Sequence, residues 1–353
     1  MKKYIILAVS FVLVFFIGFA VANVNKNDSE KFSFGLNTES DNAGDYKNIG
    51  NYKNNNYIYA AASNLAFNEF KSSFVKEDVK LKNLDKKGEN MLKSFNSSFF
   101  TTNDIDSSDY YIKSGYGQST VDTVNKESRE KFPNKTFEDL DLKLTDKDFL
   151  SYAYLYKKMS FAKKFTTCEN KFKNTVVNGF CGGYEENMNV VKYFNKNKFI
   201  VRLKDSKNND EIYLMKGYDS KNPDLAVSDM KKYSNDTENL EEGFVFFAPN
   251  LSIKNYNRHY SELENKNILN ENLLNYNLSV FFENLNFDLD NTGATVENEA
   301  VIVSRFTSSS DSNEQKPKEL YFDNDFFVVA KQKNSQNPYL VLGITNTDFM
   351  SKK

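Results

Sequence analysis

Hydrophobic and polar positions divide the chain into three parts. Residues 4–19 form a nearly unbroken apolar run, and residues 23–56 are polar and irregular. From residue 57 onwards, apolar residues recur in short clusters between polar turns, with the lengths expected of strands and helices. The pattern predicts one globular domain over residues 57–353, preceded by a polar lead-in over residues 23–56.

Most clusters of the globular region predict β-strands. Residues 121–132 (VDTVNKESREKF) instead predict a helix, which Pro133 ends. Clusters of β-branched and aromatic residues predict strands at residues 57–67, 149–156, 198–203, 211–218, 243–249, 277–290 and 299–306, and a closing hairpin at residues 325–332 and 339–345. No internal repeat or Pro/Gly-rich linker divides this region. The predicted fold class is α+β with much sheet.

The apolar run at the start has the layout of a secretory signal peptide. Lys2 and Lys3 precede it, and Ala20 and Ala22 form a small-x-small cleavage site before the lead-in. We predict a signal peptide over residues 1–22 and a secreted, extracellular chain that begins near Asn23. The run is slightly long, so an uncleaved membrane anchor is the alternative; no later run reaches transmembrane length.

Export changes the interpretation of the two cysteines, Cys168 and Cys181. An even number of cysteines in an oxidising compartment favours a disulfide. This one would close a short loop and add roughly 2–3 kcal/mol to the free energy of unfolding. Two unpaired thiols are the alternative.

The composition lacks the parts of most catalytic sites. The single histidine, His259, has no nucleophile turn near it, and the two cysteines lack the C-x-x-C spacing of a zinc site. Residues 114–119 (SGYGQS) lack the lysine of a P-loop. We therefore expect no enzyme activity, no cofactor and no metal. The net charge of −2 provides no positive field for nucleic acid.

Residues 288–299 (DLDNTGATVENE) have two interpretations. Asp288, Asp290, Gly293 and Glu299 match loop positions one, three, six and twelve of a calcium-binding EF-hand. An EF-hand also needs helices on both sides, whereas the β-branched residues after Gly293 favour extended chain. The other interpretation is a small-residue hinge that leads into a flexible loop, and the sequence favours the hinge.

Residues 278–293 (LSVFFENLNFDLDNTG) resemble the serpin strand that enters the reactive-centre loop, with Gly293 at the hinge glycine. Four further segments are similar to serpin motifs in the right order, and the five are spread between residues 62 and 346. The four are residues 62–67 (ASNLAF), a weaker match to a strand; 124–165, the helix that crosses the large sheet and the strand after it; 246–253 (FFAPNLSI); and 321–346, the closing hairpin.

Several positions depart from the serpin pattern. Glu283 stands where many serpins have a histidine beneath the inserting loop, Phe161 replaces the usual tryptophan, and Asn291 replaces the hinge glutamate. The hinge also lacks a run of alanines, and little chain precedes residue 57 for the usual N-terminal helices. These departures bear on inhibition more than on the fold.

The resemblance implies a serpin-like α+β fold. Its large, mostly antiparallel sheet is crossed by a helix, with smaller sheets and an exposed reactive-centre loop over about residues 294–318. It also implies a secreted, monomeric inhibitor whose partner is a protease of the serine class, trapped when the cleaved loop inserts as a new strand. One alternative is a non-inhibitory serpin that acts as a secreted binding or carrier protein. Another is a secreted surface or adhesion protein whose resemblance is accidental.

Insertion requires alternate residues of the loop to enter the core. The hinge comprises Gly293, Ala294, Thr295 and Val296, and both acids that follow, at 297 and 299, fall on the outward face. The inward face is small or apolar except for Asn298, whose burial without a partner costs about 1–3 kcal/mol. The alternation permits insertion, although an ordinary half-buried strand would show it too.

Serpin spacing from the hinge glycine implies a scissile bond between Thr307 and Ser308. Arg305 and Phe306 are better anchors for trypsin-like and chymotrypsin-like specificity pockets, so the bonds that follow them are alternatives. The segment is longer than the family norm, so cleavage after Lys316 is a further alternative. The proline that follows Lys316 would block most trypsin-like cleavage.

Overall fold

The structure is a computed structural model. It describes residues 46–183, 186–207, 209–238, 244–293 and 318–351, together with the strand path of residues 9–17. The predicted signal-peptide cleavage site, residues 23–45 and nearly all of the predicted reactive-centre loop lie outside these ranges.

The strands of the described part are named in chain order. They are β1 (Val9–Ile17), β2 (Asn51–Lys53), β3 (Asn56–Ala60), β4 (Tyr110–Tyr116), β5 (Phe149–Lys157), β6 (Thr166–Phe172), β7 (Thr175–Cys181), β8 (Met188–Asn195), β9 (Lys198–Lys204), β10 (Asp210–Lys216), β11 (Phe244–Pro249), β12 (Leu251–His259), β13 (Lys266–Asn267), β14 (Asn277–Leu278), β15 (Val280–Leu289), β16 (Lys318–Tyr321), β17 (Phe326–Gln332) and β18 (Leu340–Ile344).

The helices of the described part are short. They are α1 (Tyr46–Ile49), α2 (Ala62–Phe70), α3 (Lys86–Asn96), α4 (Gln118–Lys131) and α5 (Pro223–Tyr233). The carboxylate of Asp85 caps α3 by accepting a hydrogen bond of 2.7 Å from the backbone N–H of Gly88. No helix among the described residues has the length and apolar character needed to cross a membrane.

A five-stranded antiparallel sheet is the part of the fold that positions the site. Its strand order is β12-β15-β1-β5-β4. β1 pairs antiparallel with β5 on one side and with β15 on the other. β5 and β15 therefore run parallel to each other and are joined only through β1.

Two further sheets complete the core. The seven-stranded sheet has the order β2-β3-β18-β17-β10-β9-β8, with the closing hairpin β17–β18 in its interior. The four-stranded sheet has the order β16-β11-β7-β6, in which β16 runs parallel to β11. β13 and β14 form a separate two-stranded sheet. The predicted mixed α+β fold with a large antiparallel sheet is confirmed.

Helix α4 packs across one face of the five-stranded sheet. Its apolar positions Val121 and Val124 cluster with Tyr152 and Tyr154 of β5. The other face of β5 meets α2, where the Ser151 hydroxyl donates a hydrogen bond of 2.8 Å to the carbonyl of Ala66. β5 is buried on both faces, which explains why its sequence is apolar almost throughout. The helix predicted before Pro133 is confirmed.

The strand predicted for residues 57–67 is wrong in its second half. β3 ends at Ala60 and α2 begins at Ala62. Alanine and leucine favour helix, but nearly every residue of α2 is buried, so the sequence shows no polar face with a helical period. The likeness of residues 62–67 to a strand is wrong for the same reason.

The folded part of the chain begins earlier than residue 57. Tyr46 and Ile49 of α1 are fully buried, and the Tyr57 hydroxyl donates a hydrogen bond of 2.6 Å to the carbonyl of Tyr46. β2 pairs with β3 at the edge of the seven-stranded sheet. Residues 46–56, assigned from their polar sequence to the lead-in, thus belong to the core structure.

The predicted signal peptide contributes β1. Residues 9–17 form the middle strand of the five-stranded sheet. Cleavage of the segment on export stays a prediction.

Candidate functional site

The turn at the end of β15 is built by short polar residues. We call residues 290–293 the exit turn. One carboxylate oxygen of Asp290 accepts hydrogen bonds from the backbone N–H (2.8 Å) and the hydroxyl (2.7 Å) of Thr292. Gly293 follows with φ of +74°, a left-handed conformation that glycine adopts without strain. The exit turn is where the predicted loop begins.

The exit turn is tied to the segment that follows β5. The backbone N–H of Phe165 donates to the carbonyl of Asn291 (2.9 Å), and the Asn291 side-chain amide donates back to the carbonyl of Phe165 (3.0 Å). The N–H of Phe161 donates to the carbonyl of Thr292 (3.3 Å). Asn291 is buried, and its side chain holds the turn in place.

The segment after β5 links the exit turn to the four-stranded sheet. The rings of Phe161 and Phe165 pack edge to face at 4.9 Å. Phe165 also contacts Phe180 of β7 at 5.3 Å and Phe246 of β11 at 5.7 Å. The chain re-enters the described structure at Lys318 in β16, beside β11. Residues 294–317 therefore connect the five-stranded sheet to the four-stranded sheet.

We call the strand position between β5 and β15 the slot. In the register of the sheet, Leu13 of β1 lies opposite Ala153 of β5 and Glu283 of β15. The slot is antiparallel to both neighbouring strands. A chain that left β15 through the exit turn and folded back would have the same direction as β1.

Glu283 is a buried carboxyl beside the slot. Burial raises its pKa to about 7, although Arg258 and the hydroxyls of Tyr260 and Ser63 favour the charged form. Arg258 lies opposite Glu283 on β12 and donates a hydrogen bond to the carbonyl of Ile49. Among the described residues, no group makes a hydrogen bond of good geometry to either oxygen of Glu283. The sheet therefore carries a group that changes charge near neutral pH.

In the structure, Asp288, one of the candidate calcium ligands, is engaged in other bonds. The carboxylate of Asp288 accepts a hydrogen bond of 2.7 Å from the Ser252 hydroxyl and one from the Lys254 ammonium. Glu299 lies outside the described residues. Within the described ranges, no group of three or more His, Cys, Asp or Glu side chains is arranged to hold a metal ion.

The predicted disulfide is present. Cys168 of β6 and Cys181 of β7 are bonded, with Cα atoms 6.1 Å apart. β6 and β7 form an antiparallel hairpin in which Cys181 lies opposite Thr166, so the bond crosses the ladder diagonally. It ties β6, the last strand of the four-stranded sheet, to β7.

Of the predicted hinge and reactive-bond residues, the structure describes only the hinge glycine, Gly293. The remaining hinge residues and the candidate cleavage positions lie outside the described ranges: Ala294, Thr295, Val296, Arg305, Phe306, Thr307 and Ser308. Sequence reasoning missed the bonding of Asn291 to Phe165 and the occupant of the slot. The N-terminal apolar run was the signal for the latter, but its export pattern dominated the interpretation.

We expect Gly293→Ala to lower the free energy of unfolding by about 2 kcal/mol, because the left-handed conformation is strained for alanine. Its Cβ would also lie 2.6 Å from the Ser160 Cα and the Phe161 backbone nitrogen. Denaturant unfolding of the variant tests this expectation. A free energy of unfolding within about 0.5 kcal/mol of that of the unchanged chain would contradict it.

Comparisons with known proteins indicate the fold. No family model matches the sequence, and no curated protein matches it. Among solved structures, the chain is similar to a serine protease inhibitor, serpin-12 of Manduca sexta, with 9% sequence identity. The match covers 86% of this chain and 96% of the serpin, with a TM-score of 0.51. At this identity the likeness establishes the fold alone, and the chain has a serpin-like fold.

Proposed function

We propose that this protein is an exported, serpin-like inhibitor that traps a serine protease when the protease cleaves its loop over about residues 294–318. The slot carries the proposal. It is a strand position next to β15, whose own continuation through the exit turn is the loop itself. A cleaved loop that filled the slot would gain hydrogen bonds to both β5 and β15.

The proposed trapping is acyl transfer. The serine hydroxyl of the protease attacks the carbonyl of the residue before the scissile bond, and the peptide bond breaks. The new amine of the following residue takes the proton that the protease's general base removed from its serine. The loop stays attached to the protease as an ester, and insertion draws the protease away before water can hydrolyse it. We place the scissile bond at Thr307–Ser308, with the bonds after Arg305 and Phe306 as alternatives.

We expect the chain that begins at Asn23 to form a covalent complex with a trypsin-like or chymotrypsin-like protease that survives denaturing electrophoresis. The test is a panel of serine proteases, with a protease whose serine has been blocked as the control. Mass spectrometry of the released fragment should find a new N-terminus at 306, 307 or 308. Cleavage of the loop by every protease with no trapped complex would contradict inhibition.

Two substitutions decide which bond of the loop the protease cleaves. If Arg305→Ala abolishes trapping of trypsin and Thr307→Ala does not, side-chain chemistry sets the site. The reverse result would support the spacing from Gly293.

A non-inhibitory binding or carrier protein is the second candidate. The bonds between Asn291 and Phe165 favour it, because they hold the exit turn at the place from which insertion would have to start. Heating intact and loop-cleaved protein separates the two candidates. Insertion should raise the melting temperature by tens of degrees, whereas a loop that does not insert should leave it nearly unchanged.

A further inference from the structure

The strand that fills the slot comes from the start of the chain. Val9–Ile17 pairs with β5 from Val9 opposite Lys157 to Ile17 opposite Phe149. It pairs with β15 from Ser10 opposite Asn286 to Phe16 opposite Val280. Both edges of the slot are therefore satisfied by backbone hydrogen bonds along most of their length.

Removal of β1 would leave the sheet with two unpaired edges. Neighbouring strands are spaced by roughly 4.8 Å, so β5 and β15 stand about 9–10 Å apart, too far to bond directly. Unpaired N–H and C=O groups in a buried sheet are costly. The edges must either close onto each other or accept another strand.

The segment after Gly293 is joined to one edge of the slot by the exit turn. To enter the slot it would run antiparallel to β15, as β1 does. Residues 294–302 (ATVENEAVI) contain two glutamates, whereas β1 (VSFVLVFFI) contains no charged residue. Both glutamates fall on the outward face of an inserted loop, but β5 beside the slot is buried on both faces, so the uncharged N-terminal strand is the more favourable occupant.

We propose that residues 9–17 and the segment after Gly293 compete for the slot, so that a chain which keeps its N-terminal segment cannot insert its loop. Removal of residues 1–22 on export would then open the slot and switch the protein to its inserting form. The second half of this inference rests on the proposed function. The occupancy of the slot by β1 does not.

Cysteine cross-linking in the full chain tests the occupancy. In Leu13→Cys with Ala153→Cys, the two positions are register partners, with Cα atoms about 4.5–5.5 Å apart, and they should form a disulfide on oxidation. The matched control moves the first cysteine to Val9→Cys and keeps Ala153→Cys. Val9 pairs with Lys157, four positions along, which places the cysteines about 14 Å apart. A folded chain that links neither pair, or both equally, would overturn the occupancy.

Peptide binding tests the competition without any protease. The probe is a synthetic peptide of residues 294–305, added to the full chain, to its Leu13→Pro variant and to Asn25→Pro as the control. A proline at 13 removes a backbone donor in the middle of β1, whereas Asn25 lies outside the strand. The peptide should bind Leu13→Pro at least about tenfold more tightly than the other two chains.

The outcomes separate the two proposals. Equal binding to all three chains, or binding to none, would overturn the competition. If cross-linking and peptide binding behave as expected but the chain that begins at Asn23 traps no protease, the proposed inhibition fails while the competition stands.

Discussion

Lys157→Met is expected to lower the free energy of unfolding by about 3–5 kcal/mol, the usual result of breaking a buried ion pair from one side. The Lys157 side chain is 3% exposed at the end of β5. Its ammonium lies 2.5 Å from the Asp109 carboxylate and 3.0 Å from the Asp210 carboxylate, which is itself 4% exposed. Methionine keeps the length of the side chain but leaves these carboxylates without their cation.

The loss should depend on pH. Burial raises the pKa of Asp210 to about 6, and Lys157 opposes that rise. Without Lys157 the pKa in the folded chain rises further, so folded Asp210 holds its proton to higher pH than unfolded Asp210 does. The free energy of unfolding of the variant therefore keeps falling as the pH rises above about 6, relative to that of the unchanged chain. The loss caused by Lys157→Met should be smaller at pH 5 than at pH 8.

Urea unfolding at pH 5 and pH 8 measures both effects. Lys126→Met is the matched control, because Lys126 makes an exposed pair with Glu130 at 4.0 Å. Such surface pairs contribute about 0.5 kcal/mol or less. A loss at Lys157 no greater than that of the control would show that Asp109 and Asp210 do not need this cation.

Glu283→Gln is expected to raise the free energy of unfolding by about 3 kcal/mol at pH 8 and to leave it nearly unchanged at pH 4. Burial raises the pKa of Glu283 from 4.5 to about 7. The folded chain therefore binds this proton more tightly than the unfolded chain does. Native stability falls as the pH rises from about 4.5 to about 7, and it stays low above that. Glutamine cannot ionise, so the variant avoids this loss.

Thermal or urea unfolding across pH 4–8 tests the expectation. Glu130→Gln serves as the control, since Glu130 is 63% exposed and should change stability little at any pH. A stabilisation by Glu283→Gln that is the same at pH 4 and pH 8 would mean that titration of the carboxyl is not its cause.

Local patterns predicted several elements well. The end of α4 before Pro133, the buried strand β5 and the hairpin β17–β18 were all evident from apolar spacing and turn residues. α2 failed because burial on every side removes the polar face by which a helix is recognised. The burial of Tyr46 and Ile49 was missed for the opposite reason. Two apolar residues in an Asn- and Lys-rich stretch give too weak a pattern to predict a folded segment, although both are fully buried.

The site was predictable only where its cause is local. Gly293 was singled out by the local pattern of residues 288–299 and by the resemblance to a serpin hinge, and its φ of +74° suits glycine. The partners of Asn291 and Lys157 lie far away along the chain, at Phe165, Asp109 and Asp210. No spacing rule connects such residues, because their contact depends on how three sheets come together.

The placement of the last strands determines what a cut in the loop would leave behind. β17 lies between β10 and β18 in the interior of the seven-stranded sheet, and β16 pairs with β11 in another sheet. A break anywhere in residues 294–317 would yield two polypeptides that still share these ladders. Gel filtration should show a single species, and only a denaturing gel should separate the two fragments. The same property makes the loop a suitable site at which to split the protein into two fragments. These could be produced separately and then mixed to reassociate.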